Sequence, residues 1–147
     1  MKSQAPEDVY HLGIKALIRN DQGHVLLLQF NPRRVPGNVW DLPGGRVKRG
    51  ETAMAALVRE IHEELGPVEL SIGEHFGTAL SNIRIPLEGN TDAGLILSIY
   101  ECTLPKDTAL KLSEDHADYA WFAPARAAKL LSVKYPPEFC EPIAVLH

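Results

Sequence analysis

Cysteine is scarce in this sequence, whose 147 residues include only Cys102 and Cys140. Two cysteines are too few for the disulfide framework of a small secreted domain. We therefore expect both to pack as small apolar side chains in a reducing compartment. Residues 1–8 lack the apolar core of a signal peptide, and we expect them to form a flexible leader. These absences make the cytoplasm the expected location.

Long apolar runs and an excess of positive charge are also missing. No apolar stretch approaches the roughly 20 residues that a membrane-spanning helix needs. The 15 Lys and Arg residues are outnumbered by 19 Asp and Glu residues, which gives a formal net charge of −4. We therefore expect neither a membrane nor a nucleic acid as a partner. A hydrophobic content of 45% is enough for one core, and we place a single domain at residues 9–147.

Turn-forming residues divide the chain into segments that predict an α/β fold. Residues 20–23, Asn-Asp-Gln-Gly, predict a hairpin turn between the first two strands. Pro43, Gly44 and Gly45 predict a tight turn before a central helix. Strands are predicted at residues 10–19, 24–30, 39–42, 68–80, 93–104 and 117–122, and two later helices at residues 124–131 and 136–147.

The central helix is predicted by an apolar stripe at helical spacing, formed by Met54, Leu57, Val58, Ile61 and Leu65. Gly66 is typical of the residue that follows a helix, and Pro67 cannot continue one. Glu51 lies near the predicted beginning of the helix, where its negative charge favours the helix dipole. Beyond that, we expect Glu51 to be structural rather than catalytic.

Three carboxylates lie beside this stripe, those of Glu60, Glu63 and Glu64. At about 100° per residue they fall within an arc of roughly 60° to 100°. A solvated acidic face would be expected to carry basic partners one turn away, but only Arg59, one turn before Glu63, has that spacing. The cluster therefore predicts a hard divalent cation, Mg²⁺ or Mn²⁺, because carboxylate oxygens without Cys or His neighbours suit such ions.

The spacing of these residues resembles the Nudix box of the Nudix hydrolases. The matching positions run from Gly45 to Gly66 and are Gly45, Glu51, Arg59, Glu60, Ile61, Glu63, Glu64 and Gly66. Flanking segments are also similar to the family, namely residues 40–45 and the Glu114-Asp115-His116 sequence before Trp121. Pro67 departs from the bulky aliphatic residue that the family prefers there. The resemblance implies a Nudix-type α/β/α sandwich with a mixed β-sheet.

The resemblance also implies a reaction, the hydrolysis of a pyrophosphate bond in a nucleoside diphosphate linked to another group. Mg²⁺ would then be bound by Glu60, Glu63 and Glu64, here called the box glutamates. Glu114 or Asp115 would be a further ligand from outside the helix. Either Glu63 or Glu64 would help to remove the proton of the attacking water. A simple acidic loop is the equal alternative for Glu114 and Asp115.

Several neighbouring residues have two interpretations each. Gly44 and Gly45 are expected to let the backbone turn tightly beside the metal and the substrate, or to form an ordinary turn. Arg33 and Arg34 either clamp phosphate or lie in a solvated loop. Arg59 either supports Glu63 or forms a surface ion pair. His116 either acts as an acid or base near pH 7 or is a surface histidine, and we expect the second.

The substrate stays open at this stage. A compact chain without basic runs favours a small nucleotide, such as an ordinary or modified nucleoside triphosphate. ADP-ribose or a nucleotide sugar is the first alternative, and a non-catalytic nucleotide sensor with the same fold is the second. The number of metal ions, the bond cleaved and the identity of the base are also open, as is a homodimeric assembly.

Overall fold

The computed structural model describes residues 5–147, in which eight strands and three helices are present. The strands are β1 (Tyr10–Ile18), β2 (Val25–Phe30), β3 (Trp40–Asp41), β4 (Gly44–Arg46), β5 (Ser71–Leu80), β6 (Ile85–Pro86), β7 (Asp92–Thr103) and β8 (His116–Phe122). The helices are α1 (Ala53–Leu65), α2 (Pro124–Leu131) and α3 (Pro137–Ala144). Residues 1–4 of the predicted leader lie outside the described residues. Asp8, in its remainder, forms an ion pair with Arg84 at 2.6 Å.

The strands form two sheets. In the larger sheet the order is β4-β1-β7-β5, with β6 also paired to β7. Its central pair, β1 and β7, is parallel, while β4 and β5 pair antiparallel with their neighbours. The smaller sheet has the order β3-β2-β8 and is antiparallel. The larger sheet is therefore mixed, as the sequence predicts.

The predicted hairpin between β1 and β2 is wrong as a strand pairing, although its turn is present. Gly23 N donates to Asn20 O at 2.9 Å, which closes the turn. Beyond it, the two strands meet only at the bridge between Arg19 and Val25 and then enter different sheets. The loop at residues 20–23 therefore connects two sheets rather than the two strands of a hairpin.

The helices cover both sides of the sheets, which confirms the α/β/α sandwich. One apolar cluster joins Ile14, Ile18 and Leu26 to Leu57 and Ile61 of α1. The other cluster joins the intervening strand residues to α2 and α3; it includes Leu17, Val25, Leu27, Ala127, Leu131, Phe139 and Ile143. Both cysteines are free and buried, as expected. Within residues 5–147, no helix is long and apolar enough to cross a membrane.

The central helix begins and ends at defined caps. The Thr52 hydroxyl accepts a hydrogen bond from Ala55 N at 3.2 Å, so Thr52 is the N-cap. Glu51 thus precedes the helix, and its carboxylate instead accepts Lys48 N at 2.8 Å. At the other end Gly66 adopts a φ of 88° and terminates the helix, as predicted.

The predicted tight turn at Pro43-Gly44-Gly45 is corrected by the structure, because Gly44 and Gly45 belong to β4. This strand pairs with β1, so that Gly44 lies opposite Lys15 and Gly45 opposite Ile14. Gly44 has a φ of 135°, and a Cβ atom there would lie 2.1 Å from Ile14 O. Glycine is therefore required by the approach of two strands rather than by a turn.

Candidate active site

Glu64 reaches from α1 to the backbone of β4. Its Oε1 accepts a hydrogen bond from Gly44 N at 2.6 Å. The residue is nearly buried, and this burial raises its pKa to about 7, although Lys15 and the Gly44 amide favour the ionised form. The Glu64 carboxylate, which lies beside the apolar stripe of α1, thus points inward to β4.

Glu60 lies beside Glu64 and faces Gly45, the next residue of β4. A Cβ atom at Gly45 would come within 2.3–2.6 Å of the Glu60 carboxylate, so the missing side chain makes room for that group. Since Glu60 and Glu64 are one helical turn apart, both carboxylates face the same two residues of β4. The Gly44–Gly45 backbone therefore forms one wall of the candidate site.

Arg59 binds several carboxylates and not only the predicted Glu63. Its guanidinium contacts Glu51 at 2.7 Å, Glu60 at 2.9 Å and Glu63 at 3.3 Å. Arg59 also donates to Arg46 O on β4 at 3.2 Å. The pKa of Glu51 is lowered to about 2, chiefly by its hydrogen bonds from Arg59 and then by the bond from the Lys48 amide. Two of the box glutamates thus have a cationic partner that spacing along the helix predicts only for Glu63.

Behind β4 lies a buried charge network that the sequence analysis did not identify. Lys15 Nζ bonds Asp41 Oδ2 at 3.1 Å, and Lys134 Nζ bonds the same oxygen. Tyr135 donates its hydroxyl to Asp41 Oδ1 at 2.7 Å. Burial opposes the charge of Lys15, but Asp41 and Glu64 keep its pKa above the ordinary value. The one available signal was a single lysine within the apolar run of β1.

The prediction of a surface histidine at position 116 is wrong. His116 is only 8% exposed because β8 pairs with β2 and places its ring against Phe30, with 5.2 Å between the ring centroids. Its Nε2 lies 3.5 Å from Glu64 Oε2. Burial, aided by Lys15, lowers the pKa of His116. The contact at neutral pH is therefore between Glu64 and an uncharged ring.

The other predicted site residues lie further out. Arg34 and Asp115 form an exposed ion pair at 2.9 Å. The backbone of the neighbouring Glu114 accepts a bond from the Asn31 side chain, and Arg33 is exposed in the same loop. Asp115 thus faces Arg34, and His116 is the residue of this segment that contacts a box glutamate.

A cleft of about 550 Å³ opens beside Glu60. It is lined by Tyr10, His11, Leu12, Arg46, Val47, Lys48 and Glu60. Arg46 and His11 are hydrogen-bonded to each other at 3.1 Å across its wall. A larger cleft of about 910 Å³ lies at the other end of β1 and includes none of the box glutamates in its lining. The smaller one is the better candidate for a substrate, because a box glutamate, Glu60, lines it together with the basic residues Arg46 and Lys48.

The donor atoms of this site suit a hard divalent cation. Glu60 and Glu64 present carboxylate oxygens at one wall, with Glu63 on the same helix face. Within residues 5–147, no three His, Cys, Asp or Glu side chains are already gathered in a metal-binding arrangement. Arg59 lies against Glu60 and Glu63, where it neutralises part of their charge.

Comparison with known proteins assigns the chain to a family. The profile of the NUDIX domain matches residues 9–139, which is most of the chain. The chain belongs to the NUDIX domain family. It is a Nudix pyrophosphohydrolase, as the sequence predicts, and the box glutamates are those of its Nudix box. Nudix hydrolases generally use divalent metal ions, in agreement with the donor set.

Individual relatives are also similar to this Nudix chain over most of its length. The chain is 33% identical over 111 residues to the nucleoside triphosphatase NudI of Escherichia coli O139:H28. The aligned residues cover 74% of this chain and 78% of NudI. Among solved structures, a MutT protein from Methanosarcina mazei Go1 is 28% identical with a TM-score of 0.69, covering 95% of this chain and 96% of the other. An Ap4A hydrolase from C. elegans shares the fold, at 23% identity, 92% coverage of both chains and a TM-score of 0.66.

Proposed function

We propose that this Nudix protein hydrolyses a pyrophosphate bond of a small nucleotide, an ordinary or modified nucleoside triphosphate, in a Mg²⁺-dependent reaction. The observation that carries the proposal is the meeting of Glu60 and Glu64 at Gly44 and Gly45, on the rim of a basic cleft. The similarity to a nucleoside triphosphatase supports the substrate class. Mn²⁺ is expected to substitute for Mg²⁺ because both favour carboxylate ligands.

The box glutamates are the proposed metal ligands. A divalent cation bound there would neutralise the charge of the pyrophosphate and lower the pKa of bound water. Glu64 keeps one oxygen on the Gly44 amide, which fixes the orientation of its carboxylate. Glu63 or Glu64 accepts the proton of the attacking water; because neighbouring carboxylates titrate together, either can serve.

Basic groups near the carboxylates are the proposed phosphate ligands. Arg46 and Lys48 lie in the cleft beside Glu60, and Arg33 and Arg34 lie in the loop after β2. Arg34 is paired with Asp115, so its role as a phosphate ligand requires this pair to open. The same opening would free Asp115, or its neighbour Glu114, as a further metal ligand. Such an exposed ion pair contributes only about 0–1 kcal/mol, so the opening is inexpensive.

Other parts of the proposal rest on the sequence. Residues 9–147 are proposed to form one Nudix hydrolase domain, with a possible homodimer as its assembly. The cytoplasm is the proposed location because both cysteines are free and buried, as a reducing compartment allows. Nucleic acid and membrane are not proposed as partners. ADP-ribose or a nucleotide sugar is the alternative substrate, and a nucleotide sensor without turnover is the alternative activity.

A panel of nucleotides tests the function. Nucleoside triphosphates, an oxidised nucleoside triphosphate, ADP-ribose and a nucleotide sugar are incubated with Mg²⁺, with Mn²⁺ and with a chelator. We expect turnover of a triphosphate that needs the metal and stops with the chelator, and the products identify the bond cleaved. Preferential turnover of ADP-ribose or the sugar would select the alternative substrate. Metal-dependent binding without turnover of any nucleotide would contradict the enzyme and favour the sensor.

A further inference from the structure

Three successive backbone carbonyls, which lead into and begin β4, are all bonded to β1. Lys15 Nζ donates to Leu42 O and to Gly44 O, each at 3.2 Å. Between them, Ala16 N donates to Pro43 O at 2.8 Å. None of these donors belongs to the Nudix box. The Leu42-Pro43-Gly44 stretch, here called the 42–44 segment, is therefore attached to β1 through every carbonyl.

This attachment fixes the direction of the Gly44 amide. In a trans peptide the N–H points opposite to the preceding C=O, and no cis peptide is present in residues 5–147. Because Pro43 O points to β1, the Gly44 N–H points away from β1 and towards α1. There it donates to Glu64 Oε1 at 2.6 Å. The orientation of the Glu64 carboxylate thus depends on how the 42–44 segment is held.

Lys15 is chemically suited to this task. Its ammonium has three N–H donors, and its three acceptors are Asp41, Leu42 and Gly44. Its side chain is only 7% exposed, so water offers little replacement if one of these bonds is lost. Asp41 is itself fixed by Tyr135, which limits the positions that Lys15 can adopt.

Lys134 provides a natural comparison within the same network. It is also a largely buried lysine, with 12% side-chain exposure, and it contacts the same oxygen of Asp41. Within residues 5–147, however, no hydrogen bond joins Lys134 to a carbonyl of the 42–44 segment. The two lysines share the ion pair, but only Lys15 orients the segment.

We propose that Lys15 is a positioning residue for the metal site. Its ammonium holds the 42–44 segment so that the Gly44 amide sets the Glu64 carboxylate for a divalent cation. This inference rests on the proposed function, since it requires Glu64 to be a metal ligand. Groups that orient a metal ligand commonly change metal affinity by about 10–100-fold when they are removed.

The test compares Lys15→Met with Lys134→Met, which each remove one buried charge and one ion pair to Asp41. The dissociation constant of Mn²⁺ is measured by electron paramagnetic resonance, and kcat and KM are measured for the best nucleotide. We expect Lys15→Met to weaken Mn²⁺ binding by about tenfold or more and to lower kcat, with a displaced Gly44 amide resonance. Lys134→Met should keep Mn²⁺ binding within about threefold of wild type.

The proposal is overturned if both variants lose Mn²⁺ affinity equally, or if Lys15→Met binds the ion like wild type. Should Lys15→Met not fold, the double variant Lys15→Met with Asp41→Asn is used, because it removes one charge of each sign. It lacks the ammonium and is expected to show the same loss, so wild-type Mn²⁺ affinity in it would also overturn the proposal. Failure of the wild-type protein to bind Mn²⁺ would instead contradict the proposed function.

Discussion

At the scale of single residues, the box glutamates differ in their surroundings. The Glu64 side chain is 12% exposed and that of Glu60 is 17% exposed, whereas Glu63 is 58% exposed. Glu64 also has contacts on both oxygens, one to the Gly44 amide and one to His116. The three glutamates therefore differ although their side chains are chemically the same. Glu64 is held by two contacts, Glu60 occupies the space left by Gly45, and Glu63 faces solvent.

Replacing Glu64 by Gln tests its role directly. Gln has the same shape and can still accept the Gly44 N–H, so we expect the fold to persist. Gln has no negative charge to bind a cation and cannot accept the proton of the attacking water, so kcat should fall by about 10²–10⁴-fold. Steady-state kinetics and a thermal melt are the measurements, with the exposed Glu69→Gln as control. Wild-type kcat in Glu64→Gln would remove Glu64 from the proposed machinery.

The raised pKa of Glu64 predicts a pH dependence of stability in the metal-free protein. Its pKa of about 7 exceeds the ordinary value of 4.5, so the folded state binds a proton more tightly than the unfolded state. The resulting stabilisation is complete below about pH 4.5 and is lost as the pH rises to about 7. With a chelator present, wild type should therefore lose more stability between pH 5 and 8 than Glu64→Gln does. Denaturant melts at several pH values measure the difference, and parallel curves would contradict it.

At the scale of elements, the short strand β4 makes separate demands on its two glycines. At Gly44 the φ is 135°, and an added Cβ would meet the backbone of β1. At Gly45 the three atoms nearest to an added Cβ would be those of the Glu60 carboxylate. The first glycine therefore allows two strands to pair, while the second leaves space for a proposed metal ligand.

Alanine substitutions should separate these two demands. We expect Gly44→Ala to lower the free energy of unfolding by more than about 3 kcal/mol, since strain and a backbone clash act together. Gly89→Ala is the control, because Gly89 also has a positive φ, of 72° in the left-handed helical region, with no atom nearby; it should cost only about 1 kcal/mol. Chemical denaturation measures both, and an equal loss would contradict the clash of a Cβ at Gly44 with the backbone of β1.

Gly45→Ala should leave stability nearly unchanged and act on the site. Because the flexible Glu60 side chain can move aside, the expected loss of stability is below about 1 kcal/mol. The displaced carboxylate should weaken Mn²⁺ binding, which electron paramagnetic resonance measures on the folded variant. Unchanged Mn²⁺ affinity would argue against Glu60 as a ligand.

The elements also show what the sequence could and could not predict. Helix α1 was predictable because its apolar stripe, Gly66 at its end and Pro67 after it are local signals. The pairing of Gly44 with Lys15 was not, because no local pattern distinguishes a glycine in a turn from one against another strand. His116 was misplaced for a similar reason: its burial comes from the pairing of β8 with β2. Lys15 and Lys134 meet at Asp41 only through tertiary structure, so their network had no sequence signature beyond one lysine in an apolar strand.

At the scale of the whole molecule, the metal should stabilise the fold. The candidate ligands sit on α1 while the wall they face is β4, so a bound cation favours the packed state over the unfolded one. At a metal concentration about 100 times its dissociation constant, the gain is about 2.7 kcal/mol, or roughly 5–10 °C in Tm for a chain of this size. Thermal melts with Mg²⁺ and with a chelator measure the shift. Glu64→Gln should show a much smaller shift, and an equal one would place the cation elsewhere.

The parallel pairing of β1 with β7 has a consequence for how the protein folds. It places Ile14 opposite Ser98, two positions far apart along the chain, and contacts of such long range form slowly. The surface on which Glu64 rests uses β1, the 42–44 segment and, through Asp41, residues 134 and 135 near the end of the chain. A nascent chain that ends at α1 therefore carries the glutamates and β4, but it lacks β7, which pairs with β1, and residues 134 and 135, which hold Asp41. Metal capture should be a late event in synthesis, after the C-terminal residues have emerged.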